Sequence, residues 1–169
     1  MVARINAAHP KRADQRPLAV DLAEKADALR AALETGRLRD EAAFAGVVAA
    51  QALPKGMPAQ DSARALALET ALTHAAAEPL HGAKLALDVL MLAQRSLQIQ
   101  NRNLASDLGC AAEFASAALH ACAYNVRINH RFMHDADTIQ RQGDELERYE
   151  RRARALLQSV RASVTHEMR

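Results

Sequence analysis

From Leu18 onward the apolar residues return every three or four positions, as Leu18, Leu22, Ala26, Leu29 and Leu33. That spacing predicts a helix, and Gly36 is expected to end it as the residue just past the last turn. A second helix is expected from about Asp40, a good N-cap, through Phe44, Val47, Val48 and Ala52, stopping before Pro54. The stretch 53–58 reads as a loop. A third helix covers roughly 59–77 and is closed by Pro79, and a fourth covers about 80–99. The fourth carries Leu85, Leu87, Val89, Leu90, Leu92, Leu97 and Ile99 on more than one face, which predicts burial on several sides.

The run Gln100-Asn101-Arg102-Asn103-Leu104-Ala105-Ser106-Asp107 is the most polar junction between two apolar helices in the chain, and Ser106 or Asp107 is expected to cap the next helix. That long fifth helix, over about 107–133, is built from Ala, Cys, Ser and Leu with Phe114 and Tyr124. A sixth over about 136–165 alternates charges from Asp144 to Arg152, the pattern of a solvated helix with one apolar stripe. No internal repeat is present, so residues 18–169 are expected to form one domain of five or six antiparallel helices.

Composition strengthens this reading. Alanine supplies 39 of 169 residues, there are five aromatics and no Trp, and β-branched residues are scarce. Alanine is the strongest helix former and strands need the residues that are missing, so the fold is expected to be all-α. Small side chains bury little area each, which makes pairing through long Ala-rich helices a natural further source of buried surface.

Charge is nearly balanced, 22 Lys and Arg against 20 Asp and Glu, which does not suggest a nucleic-acid partner. The local excess lies in residues 1–17, with Arg4, Lys11, Arg12 and Arg16 against Asp14; this segment is expected to be a mobile basic tail without the apolar core of a signal peptide. No run of about 18 apolar residues is found, so no membrane span is expected. Cys110 and Cys122 fall on one predicted helix, roughly 18 Å apart, too far to pair, which suits the cytoplasm.

Two polar clusters are candidates for chemistry. Asn101, Arg102, Asn103, Ser106 and Asp107 gather at a helix start, where free N–H groups can hold an anion; a capped loop is the plainer reading, because polar turns and caps are common where helices begin. Asn125 and Asn129 sit on the stripe that continues Ala111, Ala115, Ala118 and Cys122, and they either satisfy neighbouring backbone or line a polar pocket. Asp107 and Asn125 share a face but stand about 27 Å apart, so a common site needs two antiparallel copies of the helix or a long ligand. His130 and His134 have the i, i+4 spacing of metal ligands, but no third ligand accompanies them and no metal is expected.

Taken in order, Asp40-x-x-Ala43-Phe44, Leu53-Pro54-Lys55, Glu78-Pro79-Leu80, Asn101-x-Asn103-x-x-Ser106-Asp107-Leu108, Ala111-Ala112, and Asn125-Val126-x-Ile128-Asn129 with Asp135 beyond it resemble the cyclodeaminase/cyclohydrolase family over roughly residues 18–165. The resemblance implies an all-helical, dimer-based fold. It further implies handling of one-carbon units on a tetrahydrofolate carrier, either closing the 5-formimino form to the 5,10-methenyl form or hydrolysing the latter. On this likeness Asp107 and Asp40 are the acid/base candidates, and Asn101, Asn103, Ser106, Asn125 and Asn129 position the ring. Lys55, Arg102 and Arg127 meet the glutamate tail, the ligand is a tetrahydrofolate derivative, and no tightly bound cofactor is implied.

The family's Pro-Gly-Gly-Gly-Ser opening has no counterpart here, and Gln100 stands where a Gly is usual. The chain is therefore expected to enter the fold at the second helix. Two functions stay open on the sequence: an enzyme of this type, or a non-catalytic member acting as an oligomeric scaffold, pterin-binding subunit or partner subunit.

Overall fold

A computed structural model describes residues 1–99 and 101–168, apart from the side chain of Lys11. It has five α-helices and, among the described residues, no strand: α1 (Val2–Ala8), α2 (Arg16–Gln51), α3 (Pro58–Ser96), α4 (Ala105–His130) and α5 (Ala136–Glu167), with 3₁₀ segments at Pro10–Gln15 and Arg102–Leu104. The expected all-α antiparallel bundle is what forms. Register is visible in contacts that step in opposite directions along neighbouring helices. Arg39 meets Glu78 and Arg64 meets Gln51 between α2 and α3. Between α3 and α4, Ala75 meets Asn129 and Gly82 lies against Cys122. Between α4 and α5, Arg161 pairs with Glu113 and Arg127 with Glu150.

Two expected helix ends are not ends. Gly36 lies inside α2, with Leu85 of α3 close by at 4.0 Å from where a Cβ would stand, and the first two predicted helices are one. Gly in a helix interior is unfavourable by only about 1 kcal/mol, which packing along a helix of 36 residues outweighs. Pro79 likewise lies inside α3, so the third and fourth predicted helices are also continuous. Asp40 is consequently no N-cap but a residue in the interior of α2. The start of α4 differs too: Leu104 occupies the N-cap position without a side-chain bond, and Ser106 and Asp107 fall within the first turn. At α5 the expected boundary holds, because Asp135 caps the N–H groups of Asp137 and Thr138.

Helix α3 is the centre of the bundle, packed on α2, α4 and α5. The main core joins Leu80, Ala83, Leu87 and Leu90 of α3 to Leu119, Ala123 and Val126 of α4 and to Leu146, Leu156 and Val160 of α5. Small residues set how closely the helices approach. A Cβ on Gly82 would stand 3.1 Å from the Cys122 Sγ, so α3 and α4 touch there nearly backbone to side chain. Where a basic tail is expected, Val2–Ala8 is a helix packed on α2. Its Asn6 is fully buried and accepts from both Arg12 and Asn101, each at 3.1 Å. The candidate Asn101 is thereby engaged with α1.

Candidate functional site

The C-terminal part of α2, the N-terminal half of α3, the end of α4 and the turn after it surround a cleft of about 810 Å³. Its walls are apolar over most of their length. Phe44 and Val47 come from α2, Leu68 and Leu72 from α3, and Ile128 and Phe132 from α4 and the turn. Phe44 and Phe132 are each more than half exposed and give the cleft flat, apolar surface.

One end of the cleft is polar and built around Asp40, Asn125 and Asn129. Asp40 is half-buried and its carboxyl is raised above the ordinary range, first by burial and then by the negative charges of Glu78 and Glu41. Glu78 is itself held by Arg39 at 3.0 Å. The half-buried Cys122 thiol is close enough to feel Asp40, and burial together with that charge pushes it up, so it is a poor nucleophile. Asp40 and Asn125 also border a smaller cavity of about 200 Å³ on their far side, lined by Arg37, Glu78, Gly82 and Cys122.

Pro79 explains the position of Asn129. A proline has no N–H, so the carbonyl four residues earlier, that of Ala75, loses its usual helical donor. The Asn129 side-chain amide donates to this oxygen at 2.8 Å and to the Asn125 carbonyl at 2.9 Å. Both readings of the amide pair therefore hold at once: Asn129 satisfies backbone, and the pair lines a polar pocket.

The other end of the cleft is formed by Gln51, Asp61 and the half-buried Arg64. Arg64 reaches back to the Gln51 carbonyl from Nε and from Nη2, each at 3.3 Å. The third polar feature is Glu69, whose carboxylate accepts from the backbone N–H groups of His134 and Asp135 and so fixes the turn between α4 and α5. Burial raises Glu69, but those two bonds and His134 outweigh it, and the carboxyl lies below its ordinary range.

Of the residues singled out by sequence, Asp40, Asn125 and Asn129 come together here, and Lys55 lies on the 52–57 connection at the Arg64 end. The Asn101–Asp107 cluster does not join them within one copy. It sits at the opposite end of α4, where Asp107 borders a groove with Leu22, Leu92 and Phe114. Asn103 and Ser106 are exposed there, and Arg102 is engaged with Glu167 at 3.3 Å. Gln100 lies outside the described residues. Arg127 faces α5 and pairs with Glu150 at 2.7 Å, away from the cleft. His130 is bound to Gln142 at 2.7 Å and His134 lies beyond the end of α4, so the i, i+4 geometry of the two imidazoles is not realised. Among the described residues no group of three or more potential metal ligands is gathered.

Arg64, Glu69, Gln51 and Phe132 were not legible as site residues in the sequence. They lie on helical surfaces without a local motif, and the only signal for Arg64 is its α3 position, which the antiparallel pairing sets beside the end of α2.

An all-helical bundle with a largely apolar cleft and, at one end, a carboxyl raised above its ordinary range describes the class. Similarity to known proteins refines it. The chain belongs to the formiminotransferase-cyclodeaminase family, whose model matches residues 1–148. It is 34% identical over 125 residues to the methenyltetrahydrofolate cyclohydrolase of Methylorubrum extorquens, a match covering 73% of this chain and 60% of that protein. The chain thus spans less than two thirds of that curated relative's length. Among solved structures it is similar to the formiminotetrahydrofolate cyclodeaminase of Thermotoga maritima, with a TM-score of 0.85 and 25% identity over 98% of this chain and 79% of that one. No described helix is long and apolar enough to cross a membrane.

Proposed function

We propose that this protein acts on the one-carbon unit of a tetrahydrofolate derivative, as a cyclodeaminase or cyclohydrolase, with Asp40 as its proton donor. The observation that carries the reading is the raised carboxyl of Asp40 facing the cleft beside Asn125 and Asn129. Both reactions break a bond between the one-carbon unit and a nitrogen. In ring closure N10 attacks the formimino carbon and the departing nitrogen leaves as ammonia. In hydrolysis water adds to the methenyl carbon and the C–N5 bond breaks to leave the 10-formyl form. Each departing nitrogen needs a proton, and a carboxyl that keeps its proton to higher pH supplies one. The Asn125 amide and the Asn129 Oδ1, whose Nδ2 hydrogens are committed to the Ala75 and Asn125 carbonyls, hold the ring, and Lys55 on the 52–57 connection meets the tail. The names of the cyclohydrolase relative and of the cyclodeaminase structure support this chemistry, and the free cysteines Cys110 and Cys122 suit a reducing cytoplasm.

The protein is proposed to act as a homodimer. Cys110, Phe114, Ala117, Ala121, Tyr124 and Ile128 form an exposed stripe along α4, with Phe114 at 76% and Tyr124 at 72% exposure. Small residues at its middle and aromatics toward its ends make the stripe complementary to an antiparallel copy of itself. Such pairing carries Asp107 of one copy to the Asn125 end of the other.

The test is the absorbance of 5,10-methenyltetrahydrofolate, and of its formation from the 5-formimino compound, monitored with purified protein. Wild type is expected to exceed the buffer rate, and Asp40→Asn to lose about 100-fold or more, the share of a general acid. Binding without turnover in the wild type supports the non-catalytic alternative, and an unchanged rate in Asp40→Asn removes Asp40 from the mechanism.

A further inference from the structure

The two ends of the cleft differ in the side chains they offer a ligand. At one end stands Asp40, beside Asn125 and Asn129. At the other stands Arg64, half-buried, whose guanidinium donates only to the neutral Gln51 carbonyl and has no carboxylate within ion-pair distance among the described residues. The other arginines considered for a ligand are already occupied, Arg102 by Glu167 and Arg127 by Glu150. Arg39 is likewise held by Glu78, and Arg37 by Glu41. The anions of the cleft are engaged as well: Asp61 accepts the Gly56 N–H at 3.0 Å and Glu69 accepts the N–H groups of the turn. Arg64 is therefore a half-buried cation lining the cleft with no carboxylate at ion-pair distance among the described residues.

Separation gives the shape of the ligand. Asp40 and Gln51 are on the same helix, and the rise of 1.5 Å per residue puts their backbones about 16 Å apart. Between the two ends lie Phe44, Ile128 and Phe132, which offer flat and apolar surface but no charge. A ligand matching this order has a polar ring at Asp40, an aromatic spacer, and a carboxylate at the far end.

We infer that Arg64 binds the terminal carboxylate of the ligand and so fixes its direction in the cleft, ring toward Asp40 and tail toward the 52–57 connection. The inference rests on the proposed folate chemistry and names the residue that selects for a tailed folate over a bare pterin. A guanidinium meeting a carboxylate makes two parallel charge-assisted bonds, stronger than neutral ones and stronger still where water is partly excluded. Phe44 and Phe132 hold the p-aminobenzoyl spacer between them.

The experiment is calorimetry on the full chain with two probes, 5-formyltetrahydrofolate and 6-methyltetrahydropterin, which lacks the spacer and the glutamate. For Arg64→Gln the affinity for the tailed probe is expected to fall about 10- to 100-fold, and for the bare pterin to stay within about twofold. Arg64→Lys keeps the charge and is expected to recover part of the loss. A structural role for Arg64 would weaken both probes equally and would be unmoved by lysine. Equal losses for the two probes, or no loss for the tailed one, overturn the assignment while leaving the folate reading intact. A wild type that binds neither probe overturns the folate reading and the assignment with it.

Discussion

The bond from Asn129 to Ala75 can be tested as a repair of the helix that Pro79 interrupts. Asn129→Ala leaves the Ala75 carbonyl with no donor, since position 79 has no N–H to offer. An unsatisfied buried acceptor costs about 1–3 kcal/mol. Ala75 is 6% exposed but borders the cleft, so water reaches the oxygen in part and the lower half of that range applies, about 1–2 kcal/mol. The second bond, to the Asn125 carbonyl, adds little, because that oxygen already receives the N–H of residue 129 within α4. In a Pro79→Ala background the restored N–H at position 79 bonds to Ala75, and the same Asn129→Ala change is expected to cost about 0.5 kcal/mol or less. Urea unfolding of the four proteins, monitored by far-ultraviolet circular dichroism, yields the coupling directly. A coupling of about 1 kcal/mol or more is expected, equivalent to a Tm difference of about 2–4 °C in a chain of this size. Additive effects, with a coupling below about 0.3 kcal/mol, would refute the claim that Asn129 substitutes for the missing N–H.

Glu78 raises the Asp40 carboxyl, so Glu78→Gln removes a negative neighbour, frees Arg39 to act as a positive one, and is expected to move the Asp40 limb of the pH–rate profile to lower pH; a limb that stays in place or rises counts against the assignment. The same raised carboxyl makes ionised Asp40 a burden on the fold: stability from this group is present at low pH and is lost as pH rises through its elevated value, so Asp40→Asn is expected to unfold at an equal or higher temperature than wild type at neutral pH. A thermal melt of the two proteins side by side checks this, and a lower Tm for the variant contradicts it. If the α4 stripe joins two copies and Asp107 completes the partner's site, Asp40→Asn and Asp107→Asn are each slow alone, yet mixing after subunit exchange should restore about a quarter of the wild-type rate, because only half of the dimers are mixed and each of those has one intact site; no recovery rules out a shared site.

Local chemistry along the chain was enough for the all-α class, a loop at about 53–58, the start of the last helix near 136 and the family. These rest on alanine propensity, proline and glycine in a short connection, the return of an apolar stripe among alternating charges, and motifs read in order. Asp40, Asn125 and Asn129 were marked in the same way. Packing decided the outcome where strong local signals met it. Gly36 and Pro79 read as helix stops, yet both lie inside helices, because contacts along α2 and α3 outweigh a penalty confined to one turn, and at Pro79 a side chain from another helix supplies the lost bond. Asp107 and Asp40 looked equivalent as acids, and only the antiparallel register of α2, α3 and α4 gathered Asp40 with the two amides while leaving Asp107 at the far end of the bundle. Arg64 and Glu69 had no motif to announce them. Their roles depend on which residues of other helices face them, and that is set by the register of the bundle and not by their neighbours in the chain.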